Sequence, residues 1–168
     1  MMRAMPYQPI LGTLGYVLSP DGRRVLLIHR NARPEDEHLG KYNGLGGKLE
    51  SHETVAEGMR REIREEAGIH VMSMRLRGTI SWPGFGKHGE DWFGFIYVID
   101  RFEGEPFSAN PEGTLSWQPL EKLVRCELPM WEGDKYFLPL LFDDDPRPFD
   151  GVMPYQDGKP VDWRYQRI

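Results

Sequence analysis

Potential chemistry in this sequence is densest from Gly47 to Ile69, GKLESHETVAEGMRREIREEAGI. Val55, Met59, Ile63 and Ala67 recur at four-residue steps, and Gly68 stands where a helix stops, so the spacing predicts a helix over 53–67. A helix advances about 100° per residue, which sets Glu62 and Glu66 about 40° apart and Glu62 and Glu65 about 60° apart. Three carboxylates therefore converge on one flank. With Val55 at zero, Glu66 falls at about 20° and Glu62 at about −20°, on the edge of the apolar stripe. Carboxylates drawn out of water cost several kcal/mol unless cations compensate them. A cluster of hard oxygens suits Mg²⁺, with Mn²⁺ as the other candidate, and Mg²⁺ commonly joins a few carboxylates to substrate phosphates. The interleaved Arg60, Arg61 and Arg64 offer a second form of compensation, i,i+4 pairing along a solvated face. Two features favour a built site. Gly46 and Gly47 let backbone approach a ligand closely, and Arg61 can reach back to Glu53 to brace the turn.

The elements that must position this helix follow from the flanking patterns. Leu11 to Leu18 reads as a strand, Ser19-Pro20-Asp21-Gly22 as a turn and Arg23 to Arg30 as a second strand. Asn31 to Gly47 is longer than an ordinary connection and is taken as functional. Val71 to Ser81 and Trp92 to Asp100 are further strands around the turn-rich PGFGKHGED, and Thr114 to Gln118 is a short strand ended by Pro119. Trp131 to Phe142 reads as a second helix despite Pro139. The Asp143-Asp144-Asp145 run reads as a solvated turn, and the tail VMPYQDGKPVDWRY as a terminal hairpin around Asp157-Gly158. Strands on both sides of a central helix give an α+β fold with a mixed sheet packed by helices. The 168 residues suit one domain.

Hydrophobic residues are 39% and charged residues 28%, which excludes a membrane protein and a low-complexity disordered chain. A formal net charge of −5 argues against a duplex nucleic-acid binder, which needs a basic face. It remains compatible with a phosphorylated small molecule held through metal ions. A single cysteine, Cys126, rules out an intrachain disulfide and argues against a thiolate zinc site. Met1 to Pro9 lacks the layout of a signal peptide and Ile10 to Leu18 is too short to span a bilayer. A cytoplasmic protein without a membrane partner is expected, and monomer and homodimer both stay open. The five histidines show no ligand spacing and are assigned no site; His29 reads as a core-edge residue.

Gly47, Glu53, Arg61-Glu62-Ile63, Arg64, Glu65-Glu66, Ala67, Gly68 and Ile69 match every defined position of the Nudix box, and the chain resembles the Nudix hydrolases. The resemblance implies an α/β/α sandwich and metal-assisted hydrolysis of a nucleoside diphosphate linked to another moiety. It implies Glu62, Glu65 and Glu66 as metal ligands, the Gly46 carbonyl beside them, and Arg61 with Glu53 joining loop to helix. Beyond the box, Gly40 to Lys48 (GKYNGLGGK), Asn110 to Leu115 (NPEGTL), Met130 to Asp134 (MWEGD) and Phe137 to Leu141 (FLPLL) are similar to the MutT-type subgroup that clears oxidised purine nucleoside triphosphates. By that similarity Asn43 and Asp134 contact the purine edge, Trp131 stacks on the base, and Glu112 is a fourth carboxylate at the metals. Arg30 stands near the phosphates, Thr13 and Trp82 line the pocket, and Lys48 counts among the substrate contacts. Animal members carry two adjacent aspartates after the tryptophan; here the first is Gly133, so their way of reading two different oxidised purines does not carry over. The subgroup's attack at the middle phosphate implies nucleoside monophosphate and pyrophosphate as products. Glu65 is the preferred base, with Glu62 and Glu112 as rivals. The alternatives are another nucleotide substrate (an ordinary triphosphate, a dinucleoside polyphosphate or a nucleotide sugar) and a module that senses nucleotide without hydrolysis.

Overall fold

The computed structural model describes residues 4–168; part of the Met1 to Pro9 segment lies outside them. The strands are β1 Ile10–Leu18, β2 Arg24–His29, β3 Tyr42–Asn43, β4 His70–Trp82, β5 Trp92–Glu103, β6 Ala109–Asn110, β7 Gly113–Pro119, β8 Phe149–Val152, β9 Tyr155–Gln156, β10 Lys159–Pro160 and β11 Arg164–Arg167. The helices are α1 Val55–Ala67, α2 Leu120–Val124 and α3 Asp134–Leu141. One mixed sheet runs in the order β11-β8-β4-β5-β1-β2-β7-β6, with β3 beside β2. β1 lies parallel to β5 and β4 parallel to β8, while the other neighbours are antiparallel.

Helices cover both faces of this sheet, which explains the unbroken apolar centre of β2, Val25-Leu26-Leu27-Ile28. Leu26 and Ile28 pack with Met59, Ile63 and Ala67 of α1, together with Val17 and Ile99. Val25 and Leu27 pack on the opposite face with Phe137, Leu138 and Leu141 of α3, together with Tyr16, Ile96 and Val98. The expected α/β/α sandwich is the observed architecture.

One local departure from a regular hairpin builds the site. β1 and β2 pair only at Val17 with Leu26 and Leu18 with Val25. Beyond that the two strands part, and the segment after β3 fills the gap. Leu45 exchanges backbone bonds with Gly15 (2.6 and 2.9 Å), Thr13 N–H donates to the Gly47 carbonyl (2.9 Å) and Leu49 N–H to the Leu11 carbonyl (2.9 Å). β3 meanwhile pairs Asn43 with Ile28 and Tyr42 with His29. The end of the 31–47 segment, read as a functional loop, is thus threaded into the sheet immediately before α1.

Other boundaries also moved. α3 begins at Asp134, and Trp131 stands before it in a turn, its carbonyl accepting from Asp134 N–H (3.0 Å). The hairpin at Asp157-Gly158 is present, both residues having positive φ (50° and 75°), as the tight primed turns of hairpins require. It spans only β9 and β10. The flanking β8 and β11 pair with each other, and β8 joins β4, an extension of the sheet that the weak alternation of the tail does not reveal. The Asp143 to Asp145 run is an exposed bend at Asp143 and Asp144, as expected of a solvated turn, and it also carries ion pairs: Asp143 receives Arg77 (3.3 Å) and Arg167, and Asp145 receives Arg147 (2.7 Å).

Candidate active site

α1 opens on a capping box. Glu57 N–H donates to Thr54 Oγ1 (3.2 Å) and Thr54 N–H donates to Glu57 Oε2 (2.7 Å), which satisfies two of the helix's orphan donors. The helix ends on Gly68 at φ 73°, a left-handed cap that glycine adopts without strain. Glu53 therefore precedes the helix, and the brace expected from Arg61 is made. Arg61 grips both carboxylate oxygens of Glu53, Nε to Oε2 at 2.9 Å and Nη2 to Oε1 at 2.7 Å, and Nη2 also reaches the Lys48 carbonyl (3.1 Å). This fork and the Glu50 N–H (2.9 Å) hold the Glu53 carboxyl down at about 2. The remaining nitrogen, Nη1, donates to Glu62 (2.8 Å) and Glu65 (3.2 Å).

Glu62 and Glu66 are half-buried and Glu65 is exposed, as the helical angles predict. Burial, then the negative charges of Glu112 and Glu62, push the Glu66 carboxyl up to about 8, although Gly46 N–H donates to it at 3.1 Å. Burial likewise raises Glu62. The two glycines permit this approach: a Cβ on Gly46 would lie 1.9 Å from the Thr13 carbonyl oxygen, and one on Gly47 would lie 2.7 Å from Glu62 Oε1. Glu112 comes from the turn between β6 and β7. Asn110 fixes that turn, accepting from Glu112 N–H (2.9 Å) and donating to the Glu66 carbonyl of α1 (3.1 Å). The Glu112 carboxylate pairs with Arg30 (3.0 Å), whose Nε is held by Asp36 (2.7 Å). Arg30, expected near phosphates, has its charge engaged by these two carboxylates.

Among the described residues no three His, Cys, Asp or Glu side chains are set to hold a metal ion as they stand. Glu62 and Glu65 are turned onto Arg61, so a cation at this flank competes with that guanidinium. The donor chemistry nevertheless fits a hard divalent ion. The candidate side-chain ligands Glu62, Glu65, Glu66 and Glu112 offer only oxygen, and the half-buried Glu66 carboxyl feels the negative charges of both Glu112 and Glu62.

Beside this flank lies a cleft of about 470 Å³ whose wall includes every expected substrate contact: Thr13, Arg30, Asn43, Lys48, Trp82, Trp131 and Asp134. Gly46 and Gly47 form its border toward α1, and the four glutamates lie beyond them, outside the cleft lining. Thr13 Oγ1 and Asn43 Nδ2 are buried without a hydrogen-bond partner. Burial also pushes the Asp134 carboxyl up to about 7. Phe85, which reads from sequence as core, lid or base-stacking residue, is in the same wall, and sequence reasoning missed Tyr16, Phe137 and Tyr155 there; each reads equally well as core. It also missed His38. The Trp131 indole N–H donates to His38 Nδ1 at 2.8 Å, and Phe85 meets the indole edge to face at 5.2 Å. His29 instead stacks on Tyr42 (4.3 Å), in keeping with the core-edge reading.

A mixed sheet between helices thus carries a glycine-preceded helix of glutamates at the border of a cleft. The NUDIX domain family matches residues 9–141, and the chain belongs to the Nudix family: it is a Nudix hydrolase. It is 33% identical over 147 residues to the mouse protein named oxidized purine nucleoside triphosphate hydrolase, covering 88% of this chain and 87% of that one. It is 33% identical over 98 residues to the 8-oxo-dGTP diphosphatase of Escherichia coli K12, covering 58% and 73%. The crystal structure of the mutator MutT protein from Bacillus halodurans superposes with a TM-score of 0.79 at 30% identity, covering 94% and 97%.

Proposed function

We propose that this enzyme hydrolyses oxidised purine nucleoside triphosphates of the 8-oxo-dGTP type with Mg²⁺, releasing nucleoside monophosphate and pyrophosphate, and so clears damaged nucleotides from the pool. The observation that carries the reading is Asn43: its Nδ2 is buried and unpaired in the same cleft as the half-buried Asp134 and Trp131. A buried donor without a partner costs about 1–3 kcal/mol, and a ligand carbonyl relieves that cost. An oxidised guanine differs from guanine by a carbonyl at C8 and a proton on N7, so a few such bonds distinguish the two. The similarity to the mouse and bacterial enzymes supports the same substrate class.

Glu62, Glu65, Glu66, Glu112 and the Gly46 carbonyl would hold the metal, which when bound neutralises phosphate charge and acidifies a water. Glu65, the most exposed of the glutamates on this flank, takes the water's proton; Arg61 orients it through the 3.2 Å contact and ties it to Glu53 and the Lys48 carbonyl. Asn43, Asp134 and Trp131 fix the base, which places the phosphate chain toward the glycine border.

The test is kcat/KM with Mg²⁺ for 8-oxo-dGTP, dGTP, 2-hydroxy-dATP, ADP-ribose and diadenosine tetraphosphate, with products identified. Preference for an oxidised purine with pyrophosphate released supports the proposal. Turnover of a linked dinucleotide with slow, flat rates on triphosphates would keep the carboxylate site and reject this use of the cleft.

A further inference from the structure

His38 lies in the segment between β2 and β3, outside the Nudix box, and is not itself among the residues that the sequence marks for base contact. Its ring is three-quarters buried in the cleft wall, meeting Trp131 at 5.2 Å and 82° and Phe85 at 6.5 Å. An indole N–H is only a donor. The 2.8 Å bond from Trp131 Nε1 to His38 Nδ1 therefore requires Nδ1 to be an unprotonated acceptor, which fixes the ring as neutral with its hydrogen on Nε2. An imidazolium would set two donors against each other. Burial and the nearby Arg30 push this imidazole down to about 4, in agreement with the geometry. Lys41, from the same segment, sets its ammonium 4.4 Å from the Trp131 ring centroid and is not part of the cleft lining. One face of the indole is thus backed by a cation, and its edge is pinned by the imidazole. Trp131 itself sits in a turn before α3, so helical packing does not fix its plane.

We infer that His38 is the positioning residue for Trp131: by accepting the indole N–H it fixes the plane on which a nucleotide base stacks, and so sets affinity for the base without taking part in hydrolysis. The inference rests on the nucleotide reading of the cleft.

The test has two parts. In ¹⁵N NMR of the wild-type protein without nucleotide, the His38 ring is expected as the Nε2–H tautomer and the Trp131 indole N–H, assigned with Trp131→Phe, as hydrogen-bonded. These readings decide the contact whatever the substrate is. In steady-state kinetics on whichever nucleotide the wild type turns over fastest, His38→Phe is expected to raise KM about tenfold with kcat within about twofold, the signature of lost binding. His38→Asn, whose amide oxygen can replace Nδ1 as acceptor, is expected to bring KM back to within about threefold of wild type. An Nδ1–H tautomer overturns the inference, as does a His38→Phe enzyme with unchanged KM, or a His38→Asn enzyme no better than His38→Phe. Reading KM on the fastest nucleotide separates failure here from failure of the substrate assignment, which the nucleotide panel decides.

Discussion

Burial keeps the Asp134 carboxyl protonated up to about pH 7, so below that pH it can donate a hydrogen bond to a base and above it only accept. If donation is what the base needs, affinity for the preferred nucleotide is full below pH 7 and falls as pH rises through it, while Asp134→Asn, a donor at every pH, gives a flat profile. The linkage has a matching sign. A carboxyl whose folded-state value is raised favours the fold fully below its unfolded value near 4 and loses that contribution as pH rises through 7. The Tm of Asp134→Asn should therefore gain on wild type between pH 5 and pH 8. Glu65 carries a different expectation. Glu65→Gln should lower kcat by about 10² to 10⁴, the range of a lost general base, while nucleotide affinity measured by calorimetry holds; normal turnover would transfer the role to Glu62 or Glu112. The box glutamates and their Arg61 brace were legible because a helix turns spacing into direction. His38 was not, since a lone histidine in a loop gives no spacing to read and acts only through a tryptophan 93 positions away.

At the scale of elements, the site depends on how the Gly44 to Leu49 segment is threaded beside β1. Gly46 is the tightest point: a Cβ there would sit 1.9 Å from the Thr13 carbonyl oxygen, at φ 156°. Gly46→Ala has to push this segment off β1, at a cost of about 1–3 kcal/mol. The expected outcome is a lowered Tm and at least a tenfold fall in kcat/KM, since the backbone between α1 and the cleft moves; a variant with wild-type kinetics would dissociate the threading from activity. β2 was readable because burial on both faces leaves an unbroken apolar run, and α1 because it carries an apolar stripe, a cap and a stop. β3 and β6 have two residues each, too few for any period to register. α2 follows Pro119 directly with five residues, shorter than two helical turns.

Across the whole molecule, the two cores share one sheet, and the face that carries α3 is tied to the far edge by charge. Arg77 of β4 is buried (2% exposed); its guanidinium donates to the carbonyls of Leu141 (3.0 Å), Leu140 (3.3 Å) and Asp145 (2.8 Å) and to Asp143 (3.3 Å). Arg167 of β11 joins Asp143 and Asp145. This network closes the C-terminal end of α3 onto the sheet, and composition alone hides it because arginines and aspartates that meet from positions 77, 143, 145 and 167 read separately as surface charge. Arg77→Met should cost about 2–3 kcal/mol through orphaned acceptors and lower the Tm by roughly 5–10 °C. Asp134 lies at the opposite end of α3, so KM at 25 °C should stay within about twofold of wild type, the mark of a stability effect without lost binding. The central claim concerns what the cleft between these layers selects. Its most direct test is the ratio of kcat/KM for 8-oxo-dGTP to that for dGTP in wild type and in Asn43→Ala. A ratio well above ten in wild type that collapses toward one in the variant is the predicted result; a ratio near one in wild type, or a high ratio that Asn43→Ala leaves intact, would contradict it.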